Sequence, residues 1–223
     1  MKKTLIPLVM ALWIGMTSPA NAQENSESKV NVSVDAKIAS NYVYRGFKLS
    51  EGVVVQPSAT LNRGNFSVTG VANYDFEQGE VNEITGMMDY TVPVGGDALS
   101  LGYRYISFPN TKLPKTQEIY ANLKLVNLLN PSLEVVHDFD EGNGQYISLS
   151  VKANTDFVDL TSTLGYNNHF SRNKSGFSQV DFGASKKTSI GGEWTLTTSV
   201  NYSRSLSNDF PSTLYCSGLV TWK

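Results

Sequence analysis

Apolar and polar residues alternate with a period of two along almost the whole chain after residue 28. In residues 29–40, KVNVSVDAKIAS, every second residue is apolar: Val30, Val32, Val34, Ala36 and Ile38. Residues 193–203, EWTLTTSVNYS, repeat the pattern near the other end of the chain. Because successive side chains of a β-strand point to opposite faces, this period predicts strands with one apolar and one polar face. The chain is therefore expected to be all-β.

Twelve segments show this alternation, and most of them are about ten residues long, which is the length that a tilted strand needs to cross a bilayer. Their approximate bounds are 29–41, 52–62, 66–75, 82–92, 98–107, 117–126, 132–139, 145–154, 157–167, 177–185, 194–203 and 213–222. The connections between them alternate between short and long, as in up-and-down outer-membrane barrels with tight periplasmic turns and longer outside loops. The exceptions are DEGNG at 140–144, a compact outside loop, and SKKTSIGGE at 185–193, a longer inside turn.

Aromatic residues occur at the ends of the predicted strands, on the phase of the apolar residues. If odd-numbered strands run outward, the outer ends carry Tyr42, Tyr74, Tyr105, Phe139, Tyr166 and Tyr202, and the inner ends carry Phe66, Tyr90, Trp194 and Trp222. Two aromatic girdles around an aliphatic band are typical of outer-membrane barrels. We therefore predict a transmembrane up-and-down antiparallel β-barrel of about 12 strands. A secreted β-sandwich, which shows the same alternation, is the alternative.

The first 22 residues have the organisation of a secretory signal peptide. Lys2 and Lys3 precede an apolar run at 5–16 that is too short to span a membrane, and residues 20–22, ANA, match an A-x-A cleavage pattern. The expected organisation is a signal peptide over 1–22, a mobile polar N-terminus over 23–28 and the barrel over 29–223.

Export and a barrel fold together predict the outer membrane as the location. The expected partners are outer-membrane lipid and lipopolysaccharide, the barrel insertion machinery and small hydrophilic solutes. Cleavage removes two of the 18 basic residues and leaves 20 acidic ones, a net charge of −4. The chain has no block of basic residues, so nucleic-acid binding is not expected. Cys216 is the only cysteine, so the exported chain cannot form an internal disulfide.

The segment SNYVYRGFKLSEG, residues 40–52, resembles an N-terminal element of the TorF-like porin family. The family shows a similar S-x-Y-V-x-R-G pattern, which is matched here by Ser40, Tyr42, Val43, Arg45 and Gly46. The resemblance implies an outer-membrane barrel and supplies no binding residues. The chain departs from the general pattern of such barrels at its end, because Lys223 follows the aromatic Trp222.

The same segment is expected to be a loop and girdle element. Tyr42 would belong to the outer girdle, and Arg45 and Lys48 would lie in or beside the first extracellular loop. An alternative is that Arg45 and Lys48 contact a ligand or the phosphates of lipopolysaccharide.

The residues that could support catalysis are few, and we predict that the chain is not an enzyme. His137 lies on the apolar phase without a neighbouring serine, and His169 lies in an outside loop, where only a weak case exists for a group with Asp138 or Asp209. No metal-ligand spacing, phosphate loop or G-x-S-x-G motif occurs, so no cofactor or metal is expected.

The polar phase predicts the lining of the barrel. The expected pore-lining residues are Asp35, Lys37, Glu83, Asp89, Arg104, Glu118, Lys124, Glu134, Lys152, Asp159 and Asp181. With Asp138, this phase carries eight acids and four bases, and Lys124 is expected to pair with Glu134. An acidic surplus favours cations. The favoured function is a weakly cation-preferring porin for small hydrophilic solutes, and the alternative is a non-conducting barrel that binds a ligand, lipopolysaccharide or partner through its extracellular loops.

Overall fold

The structure is a computed structural model that describes residues 29–170, 174–207 and 211–223. The predicted signal peptide over 1–22 and the predicted polar N-terminus over 23–28 lie outside these residues. None of the described residues belongs to a helix that is long and apolar enough to cross a membrane.

Fourteen strands make up the described chain, and twelve of them form the barrel. They are β1 (Val30–Ala39), β2 (Tyr42–Tyr44), β3 (Phe47–Ser50), β4 (Val54–Arg63), β5 (Phe66–Asp75), β6 (Glu80–Val94), β7 (Asp97–Ser107), β8 (Thr116–Lys124), β9 (Ser132–Asp138), β10 (Gly144–Asn154), β11 (Asp159–Asn168), β12 (Ser175–Gly191), β13 (Trp194–Ser205) and β14 (Thr213–Trp222).

The barrel closes between the first and the last strand. β1 pairs with β4 on one side and with β14 on the other, and every strand from β4 to β14 pairs antiparallel with the next. Closure satisfies the backbone hydrogen bonds that an open sheet edge would expose. The predicted twelve-stranded up-and-down antiparallel barrel is confirmed.

Polar residues line the interior, and apolar residues cover the outer surface. Val200 and Leu149 are 55% and 51% exposed on the outer face, whereas Gln179 and Glu118 are fully buried inside. A soluble β-sandwich would show the opposite distribution, because its apolar side chains pack between two sheets. This arrangement rules out the sandwich alternative.

Aromatic residues lie on the outer surface at both ends of the strands. At the inner end, Phe66 pairs with Tyr90, and Trp194 pairs with Trp222. At the outer end, the end that carries the long connections, Tyr105, Phe139 and Tyr202 are exposed. Tyr42 was predicted to belong to this girdle, and that prediction is wrong, because Tyr42 lies in β2, which is not one of the twelve strands of the barrel wall.

The strand bounds differ most from the prediction at β12, which continues to Gly191. Residues 186–191 were expected to form a turn, but they extend the ladder with β13, in which Lys186 pairs with Thr198 and Gly191 pairs with Trp194. The connection SKKTSIGGE is therefore mostly strand, and the turn itself is short. Its position at the inner end agrees with the prediction.

Candidate functional site

The connection between β1 and β4 folds into a separate two-stranded hairpin, β2–β3. Tyr44 pairs with Phe47, which leaves Arg45 and Gly46 as a two-residue turn. Both have positive φ angles, 51° and 82°, as a type I′ turn requires. Glycine adopts this conformation freely, but the left-handed region costs an arginine on the order of 1 kcal/mol or more. Contacts of the Arg45 side chain must offset that strain.

The hairpin lies inside the barrel and contacts strands on several sides of the lumen. The Tyr42 hydroxyl donates to the Glu83 carboxylate of β6, at 3.0 and 3.1 Å from its two oxygens. Gly46 packs on Gln179 of β12 so closely that a Cβ at Gly46 would lie 3.0 Å from the Gln179 Cβ. Glu83 and Gln179 both lie near the outer ends of their strands. The hairpin therefore narrows the outer half of the lumen.

Arg45 forms a buried, two-pronged ion pair with Glu118 of β8. Its Nη1 lies 2.7 Å from Oε1, and its Nη2 lies 3.1 Å from Oε2. Arg104 Nη1 donates to the same Oε2 at 2.6 Å, and Glu134 Oε1 lies 3.8 Å from Arg45 Nη2. The side chains of Arg45 and Glu118 are only 6% and 1% exposed. Because both charges are desolvated, removing Glu118 would leave two buried guanidinium groups without their shared carboxylate, at a cost of about 3–5 kcal/mol. Removing Arg45 would leave Glu118 paired with Arg104.

Three aromatic rings surround the Arg45 guanidinium. Its central carbon lies 4.5 Å from the ring centroid of Tyr44, 5.0 Å from that of Tyr146 and 4.8 Å from that of Phe170. Ring faces at these distances attract a cation. Burial raises the pKa of the Tyr44 phenol to about 12, so the phenol is neutral at physiological pH and accepts a hydrogen bond from Arg104 at 2.9 Å. The hairpin thus places its arginine in a cage of rings and carboxylates.

Four of the predicted pore-lining residues, Glu83, Arg104, Glu118 and Glu134, contact the hairpin. The sequence placed them on one phase of four neighbouring strands, and the structure brings them together around the hairpin. None of them was predicted to contact Arg45 or the tyrosines of the hairpin.

The remaining predicted lining residues lie apart from the hairpin. Lys152 and Asp159 form an ion pair of 2.8 Å near the inner ends of β10 and β11. Asp89 accepts a hydrogen bond from Tyr120, and Asp35 accepts from Ser58 and Thr221. Asp181 has one carboxylate oxygen without a hydrogen-bond partner among the described residues, and Lys37 forms no ion pair with them.

The predicted pair between Lys124 and Glu134 is absent. The nearest cation to Glu134 is Arg45, and Lys124 is exposed at the inner end of β8 with no ion pair among the residues that the structure describes. Sequence pattern placed both side chains on one face, but it could not show that an arginine from a distant loop would reach Glu134.

Arg45 and Lys48 belong to the predicted loop but differ in exposure. The Arg45 side chain is buried in the barrel, so the alternative in which it contacts lipopolysaccharide is wrong. The Lys48 side chain is 19% exposed, and its Nζ lies 2.5 Å from Oε2 of Glu51, whose side chain is 75% exposed.

Neither histidine is arranged for nucleophilic catalysis. His169 Nδ1 lies 3.2 Å from Ser175 Oγ and 3.0 Å from Asn168 Oδ1. A relay needs the serine and its orienting partner on opposite ring nitrogens, whereas here both lie at the same nitrogen. His137 Nδ1 lies 3.3 Å from the Gly144 carbonyl oxygen. Of the residues proposed to act with His169, Asp138 instead accepts a hydrogen bond from Thr116, and Asp209 lies outside the described residues.

Sequence reasoning missed the rings and the amide that complete the site, which are Tyr44, Tyr146, Phe170 and Gln179. One local signal was available. Arg45-Gly46 between Tyr44 and Phe47 fits a tight hairpin, although glycine or asparagine is more usual at the first turn position. The positions of Tyr146 and Phe170 carry no such signal.

The fold is similar to that of solved porins. A KdgM porin superposes with a TM-score of 0.60 at 10% sequence identity, over 86% of this chain and 98% of that one. A KdgM porin in complex with disordered oligogalacturonate gives 0.62 at 11% identity, with the same two coverages. A NanC porin gives 0.57 at 12% identity, over 86% of this chain and all of that one. At these identities the likeness concerns the fold. No protein-family model matches the chain, and no curated protein matches it in sequence.

Proposed function

We propose that the protein is an outer-membrane channel for small hydrophilic solutes, narrowed by its own first extracellular hairpin. The observation that carries the proposal is a closed twelve-stranded barrel with an apolar exterior and a polar interior. An eight-stranded barrel has an interior just wide enough for its own side chains or for one small ligand. A barrel of twelve strands is wider and encloses additional space. The fold of the KdgM and NanC porins and the resemblance to the TorF-like family support the same function and an outer-membrane location, which the predicted signal peptide over 1–22 would serve.

The charges inside the barrel favour cations over anions. Arg45 raises the number of bases on the lumen side to five against eight acids, and it is fully engaged with Glu118 and Glu134. The acids Asp35, Glu83, Asp89 and Asp181 form no ion pair with any described residue. A narrow channel with low-dielectric walls focuses the field of such carboxylates on passing ions. We propose neutral or cationic solutes, in contrast to an acidic ligand such as oligogalacturonate.

The hairpin also favours a second candidate, a barrel that does not conduct and instead binds a ligand or partner through its outer loops. This candidate rests on the contacts of the hairpin, which lies in the lumen and touches β6, β7, β8 and β12. The two candidates differ in whether the hairpin leaves, or opens, a path for ions.

Planar-bilayer recording of the refolded protein distinguishes them. The wild-type protein is compared with a variant in which Gly and Ser replace residues 42–50, and with a control in which they replace residues 109–114 of the β7–β8 connection. We expect small single-channel steps from the wild type and the control, and larger ones from the hairpin variant. Absence of conductance from all three proteins would reject the channel in favour of the binding barrel.

A further inference from the structure

The environment of Arg45 is unusual because the barrel wall itself supplies most of it. Glu118 and Glu134 come from β8 and β9, Tyr146 comes from β10, and Phe170 follows β11. Only Tyr44 comes from the hairpin. The wall groups therefore form a site that exists apart from the residue that fills it.

The wall groups are fixed by contacts of their own. Gln179 Nε2 donates to the Tyr146 hydroxyl at 2.6 Å, and Asn167 Nδ2 donates to the Phe170 carbonyl oxygen at 2.6 Å. Tyr146 and Phe170 are 3% and 4% exposed and pack with Val136. Gly144 lets the Phe170 backbone approach, since a Cβ at Gly144 would lie 2.3 Å from the Phe170 nitrogen. A site whose walls are held in this way does not depend on the arginine for its shape.

The geometry of the site suits a guanidinium better than an ammonium ion. Each carboxylate oxygen of Glu118 accepts a hydrogen bond from a different Nη atom of Arg45. A planar guanidinium can donate two such parallel hydrogen bonds, and a compact ammonium cannot. Tyr146 and Phe170 present their rings to the same planar group. Without Arg45, two carboxylates, Glu118 and Glu134, would face a single guanidinium, that of Arg104, and the site would carry a net negative charge.

Arg45 adopts a backbone conformation that its residue type disfavours, with φ at 51°. A glycine or asparagine would form the same turn with less strain. The contacts of the side chain, and not the requirements of the turn, therefore explain the arginine at this position. The hairpin carries the Arg45 guanidinium as a covalently attached ligand of the wall groups.

We propose that Glu118, Glu134, Tyr146 and Phe170 form a guanidinium-binding cage in the lumen, which Arg45 fills in the narrowed barrel and which a small solute bearing a guanidinium group binds in its place. The chemistry of the cage identifies the class of solute that displaces Arg45 at the tip of the hairpin, namely small molecules that bear a guanidinium group. Its consequence for permeation rests on the proposed channel function, but binding itself does not.

The test uses the full mature chain with Arg45→Asn, a change that keeps the turn and empties the cage, and methylguanidinium chloride as the probe. We expect the probe to bind the variant saturably. It should reduce the single-channel current and raise the temperature at which the folded band is lost on a detergent gel. The wild type should need at least about ten-fold more probe, because tethered Arg45 competes at an effective concentration in the millimolar range or above. Methylammonium chloride, which has the same charge without the fork, should act several-fold more weakly.

Two further variants locate the binding. Adding Phe170→Leu to Arg45→Asn should weaken binding several-fold by removing one ring face, and it leaves the ion pair of Glu118 with Arg104 intact. Lys48→Gln, which removes a cation from the same hairpin outside the cage, should leave the response at the wild-type level.

The two readouts separate failure of the cage from failure of the channel. If Arg45→Asn conducts but neither its current nor its gel transition responds to methylguanidinium, or if methylammonium acts equally well, the cage is rejected and the channel stands. If no variant conducts but the gel transition of Arg45→Asn responds selectively, the channel is rejected and the cage stands.

Discussion

At the scale of single residues, the direction of each side chain follows from its position in the alternation. Val200 points outward and is 55% exposed, while the neighbouring Ser199 points inward and shares a hydrogen bond of 2.8 Å with Ser217. One step along the strand therefore changes the surroundings from the apolar exterior of the barrel to its polar lumen. The difference provides a direct test of which face meets the membrane.

Arginine at Val200 should destabilise the folded barrel by about 2–4 kcal/mol, because a charge on the lipid-facing surface near mid-strand must be moved into hydrocarbon. Arginine at Ser199 should have a much smaller effect, because the lumen can hydrate it. Equilibrium unfolding by urea in lipid vesicles measures both free energies. Equal losses at the two positions would contradict the assignment of the outer face to lipid.

At the scale of elements, the hairpin β2–β3 is held by side-chain contacts and not by backbone pairing with the barrel. Its docking depends on a few polar groups, chiefly Glu118, which forms ion pairs with both Arg45 and Arg104. The strands of the wall pair with one another and not with the hairpin. Undocking can therefore occur without unfolding of the barrel.

Glu118→Gln should release the hairpin, because it leaves two buried guanidinium groups without their shared carboxylate. Trypsin added to the outer side should then cleave after Arg45 at least about ten-fold faster than in the wild type, in which that side chain is 6% exposed. Asp159→Asn is the control, since it breaks the ion pair with Lys152 away from the hairpin. Slow cleavage of Glu118→Gln, at the control rate, would show that this ion pair does not hold the hairpin.

At the scale of the whole molecule, closure of the sheet and the apolar exterior determine where the protein can be stable. A closed barrel has no strand edge at which detergent can open the sheet. The folded protein should therefore migrate differently from the boiled protein on a detergent gel, and it should be recovered with the outer-membrane fraction. Recovery as a soluble periplasmic protein, with no heat-dependent shift, would contradict membrane insertion.

Ion selectivity is also a property of the whole lumen, because it sums the field of charges on many strands. Changing Asp35, Asp89 and Asp181 to asparagine should shift the reversal potential in a salt gradient toward anion preference. The shift should diminish near 1 M salt, where the screening length falls to about 3 Å. Asp156→Asn with Glu193→Gln removes exposed turn charges as a control. Anion preference in the unmodified protein would show that the lumen acids do not set selectivity.

The fold could be predicted almost completely from sequence, because alternation, strand length and connection length each report on local geometry. These features were sufficient for a twelve-stranded barrel and for most strand bounds. They failed at residues 186–191, where pairing with β13 carries the strand past the predicted turn. They also failed at Tyr42, whose aromatic side chain fitted the girdle pattern but belongs to the hairpin.

The sequence by itself determined which side chains point into the lumen and which point outward, because the period of two is a property of the extended backbone. The tertiary structure alone decided what those side chains contact. Arg45 and Glu118 are 73 residues apart, and they meet because closure of the barrel forms a lumen that the first hairpin enters. Tyr146 and Phe170 become walls of a cage for the same reason. No local pattern encodes such contacts, since they depend on how distant strands surround a common space.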